Sequence, residues 1–474
     1  MKYEPTIGLE IHAELRTNTK MFCDSKNDPD EKNPNVNICP VCMAHPGVLP
    51  TINKEAVHQV LRVGTAMGGK LADYSEFDRK NYFYPDIPKA YQLSQFEFPL
   101  VSGGELRGVE LTRIHLEEDT ARSSHTSESG SSLVDFNRAG VPLMELVTEP
   151  VIHSSEEAGN FGRELRLLLK ILEASNANME KGEMRVEVNI SIAEKGAELG
   201  TKVEIKNLNS FKAVEKSIEF EIQRQIELLD SGESIVQETR GWDESKGVTF
   251  SQRIKEEAAD YRYFPEPDLP KLKLGELEEF NTENLRESLP ELPNEKRVRL
   301  AKTYNLNSDS IEVYVSDKKL SEFFEKVVDE LERSKEKATL ASNYILNNLV
   351  AIKNLEGHVT ERIRPVTFAK IIALVHNGEV SSNGAVELIE KTVEDSVLEV
   401  GVRSLAASEG LLQQNDEDAL IAIVDAVLSE NTDAVGEFKS GKEQALQYLV
   451  GQGMKASKGS ANPAKLKEII KARI

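Results

Sequence analysis

The sequence predicts an α+β fold, with a largely antiparallel sheet in the first part of the chain and only helices in the rest. Apolar and polar residues alternate over several short segments before residue 290, and the spacing of these segments suits hairpins. After residue 290, apolar residues recur every three or four positions, which is the period of an α-helix. We therefore expect a sheet domain over 1–289, a helical domain over 290–405 and a small helical tail domain over 406–474.

The strands of the first domain are predicted where the alternation is clearest, over 7–15, 110–118, 141–147, 184–192 and 202–206. Three helices are predicted from residues that cap helix starts, two between these strands and one after the last of them. Asn53 begins the first helix, and Ser154 with Glu157 forms a capping box for the second. Ser210 begins the third, and Gly232 follows its end.

The helical prediction for the second part depends on two sets of apolar residues at helical spacing. They are Leu320, Phe323, Phe324, Val327, Val328 and Leu331, and then Phe368, Ile371, Ile372 and Val375. The boundary before the tail domain is placed near Leu405, because the following residues 406–410 are small and polar.

Composition indicates a protein of the cytoplasm that does not enter a membrane. The 474 residues contain no apolar run near 18 residues long and no apolar signal segment at the start. Three cysteines cannot form a complete disulfide framework, which fits a reducing compartment. A formal net charge of −22 argues against nucleic acid binding over the whole surface, so any such contact must be local.

One such local exception is the C-terminal segment. Residues 451–474 contain six basic residues, Lys455 and Lys458 among them, and one glutamate. An RNA contact and a solvated helix end explain this segment about equally well.

The segment "IGLEIHAEL", residues 7–15, places Glu10 and His12 on one face of a strand, about 7 Å apart. Other carboxylates lie at predicted strand positions. They are Glu117, Glu118, Glu145 and Glu187. A carboxylate in an apolar strand is costly to bury unless it is paired or binds a metal, and several of them with His12 would suit Mg²⁺. Solvated carboxylates on an edge strand are the alternative.

The segment 77–98 contains seven aromatic residues, far above the 6% average of the chain. Arg79, Lys80 and Lys89 are interleaved with aromatic residues that include Tyr82 and Tyr84. Aromatic faces beside fixed cations suit a nucleotide or the unstacked end of a nucleic acid. A small hydrophobic core under a loop is the alternative.

Cys39 and Cys42 form a C-x-x-C pair, and Cys23 lies sixteen residues before it. A structural zinc site needs four ligands, and three thiolates are one short. His45 or Asp24 could complete the set, or the pair could be a remnant.

Long segments spread over nearly the whole chain resemble the B subunit of the tRNA-dependent amidotransferase, the GatB family. The segments are "IGLEIHAEL", "CPVCMAHPGVLPTIN", "FDRKNYFYPDIPKAYQLSQ", "IHLEED", "SLVDFNRAGVPLMELVTEP", "KNLNSF", "DYRYFPEPDLP" and "VGQGMKASKGSANP".

The resemblance implies that the first domain is a cradle for the acceptor end of a misacylated tRNA. There ATP would phosphorylate the side-chain carboxylate of Glu on tRNA-Gln or of Asp on tRNA-Asn. Ammonia released from glutamine by an A subunit would then displace the phosphate, within a heterotrimer that also contains a C subunit. The helical domain and the tail would bind the tRNA body.

The resemblance also implies roles for individual residues. It makes Glu10, His12, Glu145 and either Glu118 or Glu117 ligands of Mg²⁺, and it puts Lys80 and Lys89 in the reaction pocket. Tyr82, Tyr84 and Arg79 would contact the nucleotide. Glu187 stands where relatives usually carry aspartate, so its part as a metal ligand is less direct.

The cysteine site departs from the family pattern as well. Many relatives carry a fourth cysteine at the position that Ser25 occupies here. We therefore expect weak or absent zinc binding at Cys23, Cys39 and Cys42.

Two other functional classes compete with an enzyme subunit. The chain could be a non-catalytic tRNA-binding adaptor, or a free-standing metal-dependent hydrolase. The Glu10, His12 and Glu145 set argues against the adaptor, and the absence of an evident amidase nucleophile argues against the hydrolase. The sequence leaves open whether Glu-tRNA-Gln, Asp-tRNA-Asn or both are substrates.

Overall fold

The computed structural model describes residues 2–125, 131–254, 261–352, 357–394, 401–413, 417–457 and 461–474. The chain divides into two units, Met1–Pro293 and Asn294–Ile474.

The first unit is built on a ten-stranded sheet. Its strands and those of three small sheets beside it are β1 (Tyr3–Glu14), β2 (Lys70–Leu71), β3 (Tyr74–Ser75), β4 (Asp78–Asn81), β5 (Tyr91–Ser94), β6 (Val101–Ser102), β7 (Glu105–Leu106), β8 (Val109–Glu118), β9 (Arg122–His125), β10 (Ser132–Asp135), β11 (Pro142–Thr148), β12 (Met184–Glu194), β13 (Val203–Leu208), β14 (Glu238–Asp243), β15 (Val248–Ile254), β16 (Phe264–Pro265) and β17 (Leu272–Lys273). The large sheet has the order β15-β14-β13-β12-β1-β11-β8-β6-β2, with β7 paired to β8. Among the strand pairs of the described residues, β13–β14 alone is parallel, so the prediction of a largely antiparallel sheet is confirmed.

The helices of this unit are α1 (Lys54–Ala66), α2 (Ser155–Ile171), α3 (Phe211–Ser231) and α4 (Thr282–Glu287), with short 3₁₀ turns at Leu274–Glu276 and Glu278–Phe280. Each predicted cap is present. Asn53, Ser154 and Ser210 all accept hydrogen bonds from backbone N–H groups in the first turn of their helices. Gly232 ends α3 with a φ of 79°, a conformation that glycine adopts without strain.

The alternation in β1 sorts its side chains onto the two faces of the sheet. Ile7, Leu9 and Ile11 are almost completely buried in the core, together with apolar residues of α1, α2 and α3. Burial of side chains of this size stabilises the fold by about 2 kcal/mol each. Glu10 and His12 lie on the opposite face, which carries the polar residues of the neighbouring strands.

The helices that follow, in chain order, are α5 (Pro293–Tyr304), α6 (Ser308–Ser316), α7 (Lys318–Glu330), α8 (Lys335–Tyr344), α9 (Pro365–His376), α10 (Ser382–Glu394), α11 (Val402–Ser408), α12 (Glu417–Glu430), α13 (Thr432–Lys439), α14 (Glu443–Ala456) and α15 (Pro463–Arg473). A π-helical turn, Ile345–Leu349, continues α8, and a 3₁₀ turn covers Val359–Glu361. In the described part of this unit the only β pairing is an isolated bridge between Val380 and Leu412. The helical prediction for the second half is confirmed.

The predicted apolar sets of this unit form buried helix faces. Phe323, Phe324 and Phe368 are at most 4% exposed, and the Phe324 ring stacks on Tyr314 at 4.5 Å between centroids. A separate cluster closes the end of the chain. Its buried members are Leu420, Val424, Val427, Leu446, Leu449, Ala461, Leu466 and Ile470.

The domain boundary that we predicted at 405/406 falls inside α11. Val402 and Ala406 of this helix are buried, and Gly410 follows it with a φ of 70°. Small residues after Leu405 therefore complete and end a helix here, since alanine favours helices and glycine ends them. In the described residues, no helix has the length and apolar character needed to span a membrane.

Candidate active site

Three adjacent strands of the large sheet bring the predicted acidic residues together. In the antiparallel register, His12 of β1 lies opposite Glu145 of β11, and Glu10 lies opposite Glu187 of β12. The His12 Nε2 atom is 3.4 Å from a carboxylate oxygen of Glu145 and 3.9 Å from one of Glu10. One ligand atom from each of Glu10, His12 and Glu145 lies within 4.8 Å of the other two, so these residues could share a metal ion.

Strand β8 adds two more groups to the same face, His115 and Glu117. His115 Nε2 is 3.3 Å from Glu145, and a Glu117 oxygen is 3.6 Å from His12 Nε2. His115, Glu117 and Glu145 form a second group whose ligand atoms lie within 4.8 Å of one another. Sequence reasoning missed His115, although its position two residues before Glu117 places both side chains on one face.

Glu118 is not brought to this group. Because side chains alternate along β8, Glu118 points to the other face from Glu117. Its carboxylate accepts a hydrogen bond of 2.6 Å from Lys89 and one of 3.1 Å from the Leu93 backbone N–H. Of the two neighbours that the sequence left open, Glu117 is the one beside His12.

Glu187 lies on the same face of the sheet but is held by a cation. Lys206 of β13 donates to Glu187 at 2.7 Å and lies 3.4 Å from Glu204. Burial lowers the pKa of Lys206, but the charges of Glu187 and Glu204 outweigh it and the pKa is raised. Lys206 therefore stays charged, and Glu187 has its countercharge within the protein.

The crowding of carboxylates changes the titration of the group. Burial raises the pKa of Glu10, and the charge of Glu145 adds to that. Burial also raises the pKa of Glu145, yet His115 and His12 outweigh it and hold the pKa well below its usual range. Burial lowers the pKa of His12, but a hydrogen bond with Glu145 and the charge of Glu117 raise it to about 9.

The donor set fits a divalent cation. It combines carboxylate oxygens with imidazole nitrogens, and positive charge is needed to balance the carboxylates. In the part of the chain that the structure describes, the Nδ1 atoms of His12 and His115 are buried without a hydrogen-bond partner. A bound cation would add to the positive charge that His12 and Arg113, the latter 3.6 Å from Glu145, place beside these carboxylates.

The aromatic segment lies beside this group. Lys80 of β4 lies 5.2 Å from the centre of the Tyr261 ring. Burial lowers the pKa of Lys80, but the charges of Glu117 and other groups, Glu145 among them, raise it above its usual value. The Tyr82 ring lies 6.1 Å from Tyr261, and Tyr84 is 67% exposed.

Arg79 is already engaged within the protein. Its guanidinium donates two hydrogen bonds of 2.7 Å to Glu266 and lies 4.4 Å from the centre of the Tyr91 ring. Arg79 was predicted to contact a nucleotide. In the structure a bidentate ion pair with Glu266 holds its guanidinium in place.

The three cysteines lie together, with sulfur atoms within 4.8 Å of one another. Among the described residues, neither His45 nor Asp24 joins this group. Ser25 is close by, its Oγ being 3.9 Å from the Cys42 sulfur. A hydrogen bond from Cys23, helped by the Cys39 backbone N–H and Lys20, lowers the pKa of Cys42 to about 5 against the effect of burial.

The basic residues predicted to contact RNA lie at the end of the chain. Lys455 is exposed in the last turn of α14, and Lys458 lies outside the described residues. Another basic residue of the segment, Arg473, is paired with Asp425 at 2.8 Å.

A largely antiparallel sheet that gathers two histidines and several glutamates on one face, followed by a helical unit, is the arrangement of a candidate metal-dependent enzyme with an added helical part. The family described as "GatB/GatE catalytic domain" matches residues 5–278, and that described as "GatB domain" matches residues 322–474. The chain belongs to the GatB family, as the resemblance predicted.

Curated relatives match over their full length. The B subunit of the aspartyl/glutamyl-tRNA(Asn/Gln) amidotransferase of Thermoanaerobacter pseudethanolicus is 44% identical over 489 aligned positions, covering 100% of both chains. The proteins of the same name in Thermodesulfovibrio yellowstonii and Clostridium acetobutylicum, the latter numbered 2, are 42% and 43% identical, each over 99% of both chains.

Proposed function

We propose that this chain is the B subunit of an aminoacyl-tRNA amidotransferase of the cytoplasm. In this proposal it uses ATP to phosphorylate the side-chain carboxylate of Glu on tRNA-Gln or of Asp on tRNA-Asn. Ammonia from a glutaminase A subunit then replaces the phosphate, and a C subunit completes the heterotrimer. The names of the full-length relatives support this assignment.

The observation that carries the chemistry is the group of Glu10, His12, Glu117 and Glu145 on one sheet face. A carboxylate is a poor electrophile because its leaving group would be oxide, and phosphorylation replaces that group with phosphate. Transfer of a phosphoryl group needs balancing positive charge more than it needs covalent catalysis. A site of this kind must therefore hold cations beside the reacting oxygens.

Glu10, His12 and Glu145 would hold Mg²⁺, with His115 and Glu117 next to them. When bound, Mg²⁺ supplies positive charge to the transferring phosphoryl group. Lys80 adds a fixed ammonium at the edge of the group, since its raised pKa keeps it protonated. Lys206 keeps Glu187 neutralised, so this carboxylate does not repel the substrate.

We assign nucleotide and acceptor-end contacts to the aromatic segment, through Tyr82 and Tyr84 with Lys89 and Arg79 behind them. Tyr84 is largely exposed and available for stacking. Arg79 acts by fixing the loop, because two of its guanidinium nitrogens donate to Glu266. Lys89 acts through its pair with Glu118.

The test is amidation by the complex that this chain forms with the A and C subunits. We expect ATP hydrolysis and formation of Gln-tRNA-Gln or Asn-tRNA-Asn when misacylated tRNA and ammonia are present. Correctly acylated tRNA is the matched control and should leave ATP intact. Hydrolysis of ATP by this chain without partners or tRNA would favour a free-standing hydrolase, and tRNA binding without ATP use would favour an adaptor.

We propose further that the last helices bind the tRNA body, with Lys455 and Lys458 among the contacts. A chain that ends at Gln413 loses the cluster of buried residues from Leu420 to Ile470 but keeps α11 intact. We expect this truncation to raise the KM for tRNA and to flatten its dependence on salt, because phosphate contacts are lost.

Glutamine hydrolysis by the A subunit without tRNA is the control and should persist in the truncated complex. The substitution Lys455→Gln should shift KM in the same direction by a smaller amount. Unchanged KM and salt dependence in both variants would show that the tail is only a solvated group of helices.

A further inference from the structure

A second feature of the first unit is a basic cleft of about 810 Å³ at the point where the chain leaves β1 and where α3 begins. Its charged lining consists of Arg16, Arg163, Arg166, Lys170, Lys181, Lys212 and two acidic residues, Glu180 and Glu183. Such an excess of cations is unusual in a chain whose net charge is −22. None of these residues belongs to the candidate active site.

Four of the six cations, Arg166 among them, have no carboxylate partner among the described residues. In the described part of the chain, Arg16, Lys170 and Lys212 have no carboxylate within 4.0 Å, whereas Arg163 pairs with Glu215 and Lys181 with Asp30. Like charges that face one cleft without counterions destabilise the folded state through repulsion. An anionic ligand would remove that cost.

The start of α3 adds a donor surface to the cleft. This helix has 21 residues, yet no acidic residue lies in its first turn, and Lys212 is its second residue. A cation there opposes the helix dipole, which favours anions at the N-terminus. Within the described residues, the backbone N–H groups of Phe211 and Lys212 have no acceptor, so both are available to a ligand.

Phe211 also fixes the geometry of the cleft. Its ring is flanked by the guanidinium groups of Arg166 at 4.9 Å and Arg163 at 5.8 Å. Gly162 of α2 allows this packing, because a side chain there would begin 2.6 Å from the Phe211 ring. The ring is therefore covered by cations and is not a free platform for a nucleobase.

We propose that this cleft binds backbone phosphates of an RNA. Unpaired cations and free helix N–H groups recognise phosphate oxygens, and the covered aromatic ring argues against base recognition. Arg16 follows His12 by four residues, so their Cα atoms are at most about 14 Å apart. An RNA whose end reaches the candidate active site thus brings its backbone near the cleft; in this respect the inference rests on the proposed function.

The test uses the full chain and measures tRNA binding over a range of salt concentrations. The triple variant Arg16→Gln, Lys170→Gln and Lys212→Gln should weaken binding at least tenfold at low salt. It should also reduce the slope of log Kd against log salt by about 2, because a protein that contacts fewer phosphates releases fewer counterions when it binds. The matched control changes Lys32, Lys202 and Lys216 to Gln, three exposed lysines outside the cleft, and should keep both values.

A second variant separates folding from binding. Lys212→Glu should raise the Tm of the free protein, because the new carboxylate complements the helix dipole, while it weakens tRNA binding. Unchanged affinity and slope in the triple variant would overturn the proposal. The proposal would also be overturned if the triple variant bound RNA normally but no longer eluted with the partner subunits on gel filtration. That result would make the cleft a protein interface. Because binding is measured without ATP, these results stand apart from failure of the amidation assay.

Discussion

Glu145→Gln is expected to abolish ATP-dependent phosphorylation of misacylated tRNA while leaving the fold intact. The substitution keeps the side-chain volume but removes the charge that lies 3.4 Å from His12 and 3.3 Å from His115. Loss of a charged group that organises phosphoryl transfer costs several kcal/mol, so turnover should fall by about 1000-fold or more. The measurement is the rate of tRNA-dependent ATP hydrolysis by the complex.

The control for this variant is Glu110→Gln on the neighbouring strand β8, where the side chain is exposed. It makes the same chemical change and should keep the wild-type rate. Circular dichroism and Tm should be similar for both variants, since His12 can give up its proton when Glu145 no longer pairs with it. A Glu145→Gln enzyme with near-normal turnover would remove Glu145 from the proposed mechanism.

Ser25→Cys is expected to convert the three-cysteine group into a full zinc site. Sulfur ligands around tetrahedral zinc are about 3.8 Å apart when the Zn–S bonds are about 2.3 Å long. The Ser25 Oγ already lies 3.9 Å from the Cys42 sulfur, so a cysteine there needs little rearrangement. A fourth thiolate should tighten zinc binding by at least about 100-fold, more than an outer-shell partner contributes.

Zinc content after dialysis and the Tm with and without chelator check this expectation. The wild-type chain should hold well under one equivalent, and Ser25→Cys should hold one and gain a chelator-sensitive rise in Tm. Ser102→Cys adds an exposed thiol elsewhere and serves as the control. One full equivalent of zinc in the wild-type chain would mean that another group already supplies the fourth ligand.

The large elements of the fold could be predicted from the sequence because their signals are local. Alternation placed β1 and β12, and the side chains of Asn53, Ser154 and Ser210 marked the helix starts. The tail boundary was less accessible, because small residues after Leu405 can either link domains or end a helix. Burial of Val402 and Ala406 depends on the packing of α11 against α9 and α10, which the local pattern around Leu405 does not contain.

The site was predictable only in part, for a related reason. Glu10, His12 and Glu145 were identified as candidates, and their meeting depends on the pairing of β1 with β11. To choose between Glu117 and Glu118, one must know which of the two side chains lies on the same sheet face as His12 and Glu145. The pairing of β8 with β11 decides this, and the local sequence does not contain it. The pair of Lys206 with Glu187 is equally non-local, and no motif indicates it.

The position of β1 in the middle of the ten-stranded sheet has a consequence for how the site can be controlled. Strands β11 and β12 pair with it on both sides, so its backbone has no free edge along the segment from Glu10 to Ala13. Opening such a segment requires disruption of the sheet itself, and its stability approaches that of global unfolding. Fluctuations of loops therefore leave the acidic group assembled, and control of the reaction has to act on the arrival of its substrates.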